Sequence, residues 1–317
     1  MRLPFLVFLL GSFLSISAAA SEARDWLLRM TESATKQSFS GTYIYERSGN
    51  FSSYHIWHLA QPPSSSTEHL LQLDGQGQEV LLVDGQVRCS TTDLQDHFVG
   101  VQGPTGKRLD VTRLVQSYEA QMLGTSRVAG RSAVVLLLLP RNADRYAREL
   151  HLDSKTGLLL KSLLLNGQGQ LLERLQYTSL SADLPITAED LQPSAACIES
   201  ASASSVPAVQ SLWKIGWLPE GFVLSSTQEQ AGASVGVPVE SQMYDDGLAR
   251  FSIFIESLEG VAMANAHAQL GPTVVVSRPV NTPSGQFMVT LVGEIPLATA
   301  EQVVLSVTGK DVAGVKP

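Results

Sequence analysis

The sequence predicts a mainly β, antiparallel α+β protein in two domains, and three observations carry that expectation. Short runs rich in Val, Leu, Tyr and Thr follow one another along most of the chain without helical segments alternating between them, which argues against a doubly wound parallel sheet. Four Asx-Gly pairs, Asp74-Gly75, Asp84-Gly85, Asn166-Gly167 and Asp246-Gly247, stand between or beside these runs. Such pairs favour the positive φ angles of tight hairpin turns. Finally, the stretch PSAACIESASASSVPAVQS is rich in Ala and Ser and almost free of large apolar residues, the composition of a linker.

In chain order, Arg2 precedes an almost unbroken apolar run from Leu3 to Leu14, followed by small residues ending in Ala18, Ala19 and Ala20. This is the pattern of a signal peptide over residues 1–20 with an A-x-A-like cleavage site. A membrane-crossing helix needs about 20 apolar residues, and Gly11, Ser12, Ser15 and Ser17 interrupt this one. No cysteine lies near the cleavage site to carry a lipid. The expectation is a periplasmic protein, soluble after cleavage. Setting Arg2 aside leaves 21 basic against 30 acidic residues, and no Lys/Arg cluster could follow a phosphate backbone. Nucleic acid is therefore not an expected partner.

A helical period marks the first mature segment, 25–37, where Trp26, Met30 and Ala34 recur every four residues with Leu27 beside them. Strand-like runs follow at 39–47, 52–59, 68–73, 78–83, 121–128, 132–139, 146–153, 158–165 and 170–179, with a second helix at 111–120. The first domain is thus expected over 21–192, the linker over 193–212 and a smaller antiparallel β-rich domain over 213–317. Strands of the latter are expected at 223–229, 239–244, 249–256, 273–277 and 286–292. Pro296 can start a closing helix with Leu297, Ala300, Val304 and Val307 on one face. Cys89 and Cys197 are the only cysteines. In an oxidising compartment, with no C-x-x-C or His/Cys spacing, a lone pair reads as a structural disulfide contributing on the order of 4 kcal/mol.

No motif with a catalytic mechanism is present: no G-x-S-x-G, H-E-x-x-H, P-loop or complete G-x-G-x-x-G. His55 and His58 flank Trp57, but positions three apart on a strand face opposite sides, so they do not make a metal site. The reading is a binding protein without enzyme activity, cofactor or metal. One pattern stands out. In AVVLLLLP, residues 133–140, both parities are apolar, and 158–165 behaves in nearly the same way. A sheet wetted on one side alternates, so both faces of these strands must be covered, either by helices and core or by a bound acyl chain in a half-open barrel. Tyr43, Tyr45, Tyr54 and Trp57, with apolar bodies and polar tips, suit the mouth of such a barrel. In the second domain Phe251, Ile253 and Ile255 alternate with Arg250, Ser252 and Glu256, which leaves one wet face and free edges able to accept an extended peptide.

The segments GTYIYER at 41–47, HIWH at 55–58, RVAGR at 127–131, ELHLDSKTGLLLKSLLLN at 149–166, GQLLERLQY at 169–177, WLPEGF at 217–222, YDDGLARFSIFIE at 244–256, QLGPTVVVSR at 269–278 and VGEIP at 292–296 resemble the RseB/MucB family of periplasmic sigma-E (AlgU-type) regulators, especially its pseudomonad MucB branch. The resemblance covers nearly all of the mature chain. It implies a first domain similar to the LolA/LolB carriers, an unclosed β-barrel over helices. It also implies a negative regulator that binds the periplasmic segment of a membrane-spanning anti-sigma factor, protects it from site-1 proteolysis, and releases it on binding lipid or lipopolysaccharide. A lipid or lipoprotein carrier without a regulatory partner is the alternative, and self-association stays open. No short motif marks either site, so candidates come from parity and polarity: Tyr43, Tyr45, Trp57, Leu136 and Leu138 for lipid, and Tyr244, Arg250 and Phe254 for peptide, as the residues expected to be accessible.

Overall fold

The computed structural model describes residues 14–63, 65–91, 109–182, 184–199, 211–231, 238–258 and 264–309. Helix α1 (Leu14–Lys36) precedes the strands β1 (Phe39–Arg47), β2 (Asn50–Gln61), β3 (Ser65–Gln72), β4 (Glu79–Val83) and β5 (Gln86–Ser90). Helix α2 (Val111–Ser117) then leads into β6 (Tyr118–Val128), β7 (Arg131–Pro140), β8 (Ala147–Asp153), β9 (Leu159–Leu165), β10 (Leu171–Ser181) and the short β11 (Ile198–Glu199). These eleven strands form one antiparallel sheet in the order β11-β5-β4-β3-β2-β1-β10-β9-β8-β7-β6, with β11 and β6 as unjoined edges. The β6–β7 turn curls back onto the sheet, where Val128 and Ala129 pack with Leu160 and with Leu180 of β10. The unclosed antiparallel architecture over helices, expected from the resemblance, is the one observed.

Local chemistry explains most of the joints. Asp84 and Gly85 take φ of 55° and 76° in a two-residue turn between β4 and β5, and the Asn166 carboxamide oxygen accepts from the backbone of Gln168 and Gln170 in the β9–β10 hairpin. The β1–β2 and β6–β7 hairpins use Ser48-Gly49 and Ala129-Gly130 for the same purpose; neither is an Asx-Gly pair, and the sequence reading passed over them. Helix α2 starts at Asp110, whose carboxylate accepts from Arg113 N at 3.1 Å, and ends at Ser117, three residues earlier than expected. Tyr118 already has extended φ and ψ, because its strand pairs from Tyr118↔Pro140 onward and that pairing overrides an ambiguous local propensity.

The second sheet is smaller. After β12 (Trp213–Ile215) come β13 (Val223–Ala231), β14 (Pro238–Asp245), β15 (Arg250–Ser257), β16 (Ala266–Leu270), β17 (Thr273–Thr282) and β18 (Gly285–Gly293), then α3 (Leu297–Leu305) and β19 (Val307–Gly309). Six strands are ordered β13-β14-β15-β18-β17-β16, and β12 pairs with β19 alone. One face packs Phe251, Ile253, Ile255, Val274, Val276, Val289 and Leu291 under Ala300, Val303 and Val304 of α3. The expected helix face is corrected in one position: Val303 takes the place given to Val307, which has left the helix for β19.

Cys89 and Cys197 are bonded, with Cα atoms 5.4 Å apart and a sequence separation of 108. Residues 193–199, linker-like in composition, are therefore fastened to the large sheet: β11 pairs with β5, and Ser194 donates from both N and Oγ to Glu79. The rest of the linker stretch, 200–210, lies outside the described residues. Glu79 is desolvated, but the bonds from Ser194 and His69 outweigh this and hold its carboxyl below the usual range. A depressed carboxylate pKa stabilises the fold above the unfolded value of 4.5 and loses that contribution as pH falls below it. Hydrogen exchange on residues 190–199 is accordingly expected to accelerate as pH drops below 4.5 and to stay constant between pH 6 and 8 after correction for intrinsic rates. Replacing both cysteines by Ser is expected to lower unfolding stability in urea by about 4 kcal/mol; a loss below about 1 kcal/mol would show that the Glu79 contacts alone hold the segment.

Candidate functional site

The inner face of the large sheet is apolar because helices cover it. Ala23 and Leu27 of α1 and Val111 and Leu114 of α2 pack on Val134, Leu136 and Leu138 of β7 and on Leu150 and Leu152 of β8. Leu136 and Leu138, chosen as lipid candidates, are 0% exposed. The opposite parity of β7 behaves differently, since Ala133 and Val135 are buried while Leu137 and Leu139 stay half-exposed. The excess of leucine on both parities thus has a sealed inner side and a partly open outer one.

Farther along the same inner face, β1, β2, β3 and β10 supply Phe39, Tyr43, Ile56, Leu70 and Tyr177. Gly41 allows this packing, because a Cβ there would stand 2.5 Å from Ser179 O and 3.0 Å from the Tyr177 ring. Tyr43 is buried, its ring stacked on half-exposed Tyr54 at 5.4 Å. His58 also faces inward, with Glu68 Oε1 3.5 Å from its Nδ1. His55 faces outward, where its Nδ1 lies 3.1 Å from Thr42 Oγ1. The two histidines therefore separate as strand parity requires, and among the described residues no three His, Cys, Asp or Glu side chains gather as a metal site.

The four aromatic residues expected at one mouth do not share one. Trp57 sits on the outer face, stacked on His69 at 5.2 Å, because its parity on β2 is opposite to that of Tyr54 and Ile56. The covering segment 184–199 meets it there: His69 Nδ1 lies 2.8 Å from Asp190 O, while its Nε2 lies 2.9 Å from Glu79 Oε2 of β4. Tyr45 lies at the opposite end of the inner face, donating to Glu173 Oε2 at 2.7 Å; burial and this carboxylate push its phenol far up.

That end of the sheet meets the second domain along a polar seam. Arg47 bonds Glu173 at 3.3 Å, Glu294 at 2.9 Å and the Thr273 hydroxyl. Arg113 of α2 donates to the backbone oxygens of Gly221 and Asp245. At the centre Arg145 Nε lies 2.9 Å from Asp246 Oδ2, with side chains 1% and 0% exposed. Tyr118 donates to the same carboxylate oxygen at 3.2 Å, while Asp246 Oδ1 accepts from Leu248 N and Ala249 N. The guanidinium also lies over the rings of Tyr118 and Phe222 at 5.5 and 5.1 Å. Gly221, at φ +86°, lets the chains approach, since a Cβ there would stand 2.2 Å from Ser117 Oγ. The sequence reading saw Asp246-Gly247 only as a turn and had no signal for Arg145, because a lone charge in a loop reads as solvated until its partner on another domain is known.

The peptide candidates divide. Tyr244 is 5% exposed, its hydroxyl donating to Gln242 Oε1 at 2.6 Å and its ring stacked on Phe251. The expectation that it is accessible is corrected: its register partner is Phe251, so it shares the core parity of β15. Arg250 and Phe254 share the other face and are half-buried. Burial lowers the Arg250 pKa, opposed by Glu294 and Asp245.

A profile of the MucB/RseB N-terminal domain matches residues 22–195, and one of the MucB/RseB C-terminal domain matches residues 207–308. The chain belongs to the MucB/RseB family. It is 46% identical over 308 residues to the sigma factor AlgU regulatory protein MucB of Pseudomonas aeruginosa, covering 97% of this chain and 98% of that one. Identity to the sigma-E factor regulatory protein RseB of Escherichia coli is 25% over 308 residues, 92% of this chain and 93% of that one. MucB/RseB proteins are regulatory proteins, not enzymes. Among solved structures, the complex of Pseudomonas aeruginosa MucA and MucB superposes with a TM-score of 0.82 at 44% identity, covering 92% of this chain and all of that one. MucB in complex with MucA(peri) gives 0.80 at 45% identity with the same coverage. MucB alone gives 0.70 at 44% identity, covering 92% of this chain and 98% of that one.

The seam carries a testable expectation. Removing one partner of a buried ion pair leaves the other uncompensated, so Arg145→Met is expected to cost about 3–5 kcal/mol and to enlarge the radius of gyration in solution scattering as the domains part. Tyr118→Phe, which removes one bond to the same carboxylate, is expected to cost about 1 kcal/mol. An Arg145→Met protein as stable and as compact as its parent would refute the clamp.

Proposed function

We propose that this chain is a periplasmic negative regulator of an envelope-stress sigma factor. It binds the periplasmic segment of a membrane-spanning anti-sigma factor, shields that segment from site-1 proteolysis, and releases it when lipid or lipopolysaccharide binds. One observation carries the partner: the chain superposes on MucB solved in complex with MucA with TM-scores of 0.82 and 0.80 at 44% and 45% identity. Export to the periplasm is supported by the apolar run and small residues of the first 20 positions. No helix among the described residues is long and apolar enough to cross a membrane.

The seam gives the lipid step a physical route. Val111 and Leu114 of α2, with Tyr118 just beyond it, cover the inner face above Leu136 and Leu138, while Arg113 and Tyr118 also hold the second domain. An acyl chain reaching those leucines must displace the cover, and displacement of the cover pulls on the clamp. Each buried CH₂ of the chain contributes about 0.8 kcal/mol, and release follows only if lipid favours the opened arrangement over the closed one. Arg250 and Phe254, on the less buried face of the second sheet, are the residues assigned to the peptide.

Calorimetry of the full chain against a synthetic periplasmic anti-sigma segment is expected to show micromolar or tighter binding, weakened by added lipopolysaccharide. The segment is expected to resist site-1 protease only while bound. Lipid binding with no heat from the peptide would favour the carrier reading instead.

A further inference from the structure

Where the two domains meet, one guanidinium serves two carboxylates that come from different domains. Arg47 of β1 places Nη1 3.3 Å from Oε2 of Glu173 on β10, and Nη2 2.9 Å from Oε1 of Glu294, the residue after β18. The three side chains are 24%, 13% and 16% exposed, so water does little to screen their charges. On the first domain, Tyr45 donates to Glu173 Oε2 at 2.7 Å and accepts from Arg47 at 3.1 Å. Arg148 of β8 acts on Glu173 through its charge, and the register partner on β9, Leu164, is apolar. Tyr146, whose hydroxyl donates to Ile295 O, lies in the field of Glu294. On the second domain, Arg250 of β15 interacts by charge with Glu294, Asp245 and Arg47, and the Thr273 hydroxyl accepts from Arg47.

Docking is what sets these charges against one another. With the domains apart, Glu173 has Arg47, Arg148 and Tyr45 to itself. Once they close, Glu294 arrives at the same guanidinium and the second domain displaces water from both carboxylates. Like charges brought together out of water repel, and Arg250 offsets Glu294 only in part because it also answers Asp245. A proton on Glu173 ends the repulsion and leaves Arg47 to Glu294. We propose that the docking of the two domains is proton-linked through Glu173, acid holding them together and alkali loosening them. Burial first, and then Glu294, push the Glu173 carboxyl up from its ordinary value, against the opposing effects of Arg148, Tyr45 and Arg47. The share due to Glu294 exists only while the domains are docked, so the docked form binds the proton more tightly. A carboxyl raised by docking strengthens it fully below the undocked value, near 4.5, and that gain is lost as pH rises through the higher docked value. The chain thereby registers the acidity of its surroundings as a change in domain arrangement, a response separate from peptide and lipid binding.

Hydrogen exchange of the full chain, read by mass spectrometry on segments 217–222 and 244–250 and corrected for intrinsic rates, tests this. Both segments lie on the seam, where the backbone oxygens of Glu220, Gly221 and Asp245 accept from Arg145 and Arg113. Their exchange is expected to be at least about threefold slower at pH 5.5 than at pH 8. Glu173→Gln, whose carboxamide stands for the protonated acid, is expected to exchange equally at both pH values, and Glu294→Gln to respond less than the parent. Carbon-13 titration is expected to place the Glu173 carboxyl higher in the parent than in Glu294→Gln, a readout independent of how tightly the variant docks. Parent exchange that is flat across this range, or that slows toward alkali, would overturn the linkage. A Glu173→Gln protein with the parent's full response would also overturn it, because another group would then be the sensor. A Glu173 titration unmoved by Glu294→Gln would overturn the role given to the shared guanidinium.

Discussion

A sheet of eleven strands that does not close has an inner face it cannot cover by itself, and helix α1 with α2 must supply the cover. Leu27 and Ala23 reach Leu136 and Leu150 across this layer, and the far end of α1 is tied down where Ser33 and Gln37 bond Thr156 O in the β8–β9 turn. Several other features follow from that constraint. Strand β7 has to be apolar on its inner parity because a helix lies on it, and α2 has to end at Ser117 so that Tyr118 can join the edge of the sheet and still turn its hydroxyl toward the second domain.

The same short stretch therefore serves two interfaces. Val111, Leu114 and Tyr118 close the large domain's core, while Arg113 and Tyr118 grip Asp245 and Asp246 of the small one. In a regulator of the MucB/RseB family this economy has a mechanical meaning. Interior packing and domain docking share one helical turn and the residue after it. The buried Arg145–Asp246 pair makes the docking specific: its charges are almost inaccessible to water, and an arrangement that separated them without rehydration would be costly.

Periodicity and turn chemistry showed much of the fold in advance. Phe251, Ile253 and Ile255 read as a buried parity and are buried; Asp84-Gly85 and Asn166-Gly167 read as hairpins and are hairpins; Cys89 and Cys197 read as a pair and are bonded. What escaped has a common cause. Tyr244 and Trp57 were assigned to accessible places from residue type, but each takes its side of the sheet from its register partner, Phe251 for the one and His69 for the other. The apolar excess at Leu136 and Leu138 leaves open whether helices or a ligand cover them; α1, more than a hundred residues earlier in the chain, and α2 do so.

Composition, strand parity and Gly placement are local properties, so the chain order of residues carries them directly: a mainly β chain, an apolar first segment and a family likeness along its length. Long-range convergence is of another kind. Arg145 meets Asp246 across 101 positions, and Tyr43 meets Tyr177 across a strand pair 134 positions apart; no local pattern encodes either meeting. Both depend on how a curled sheet and a docked second domain bring distant turns and strands into contact, which is a property of packing and exists only once the chain has folded.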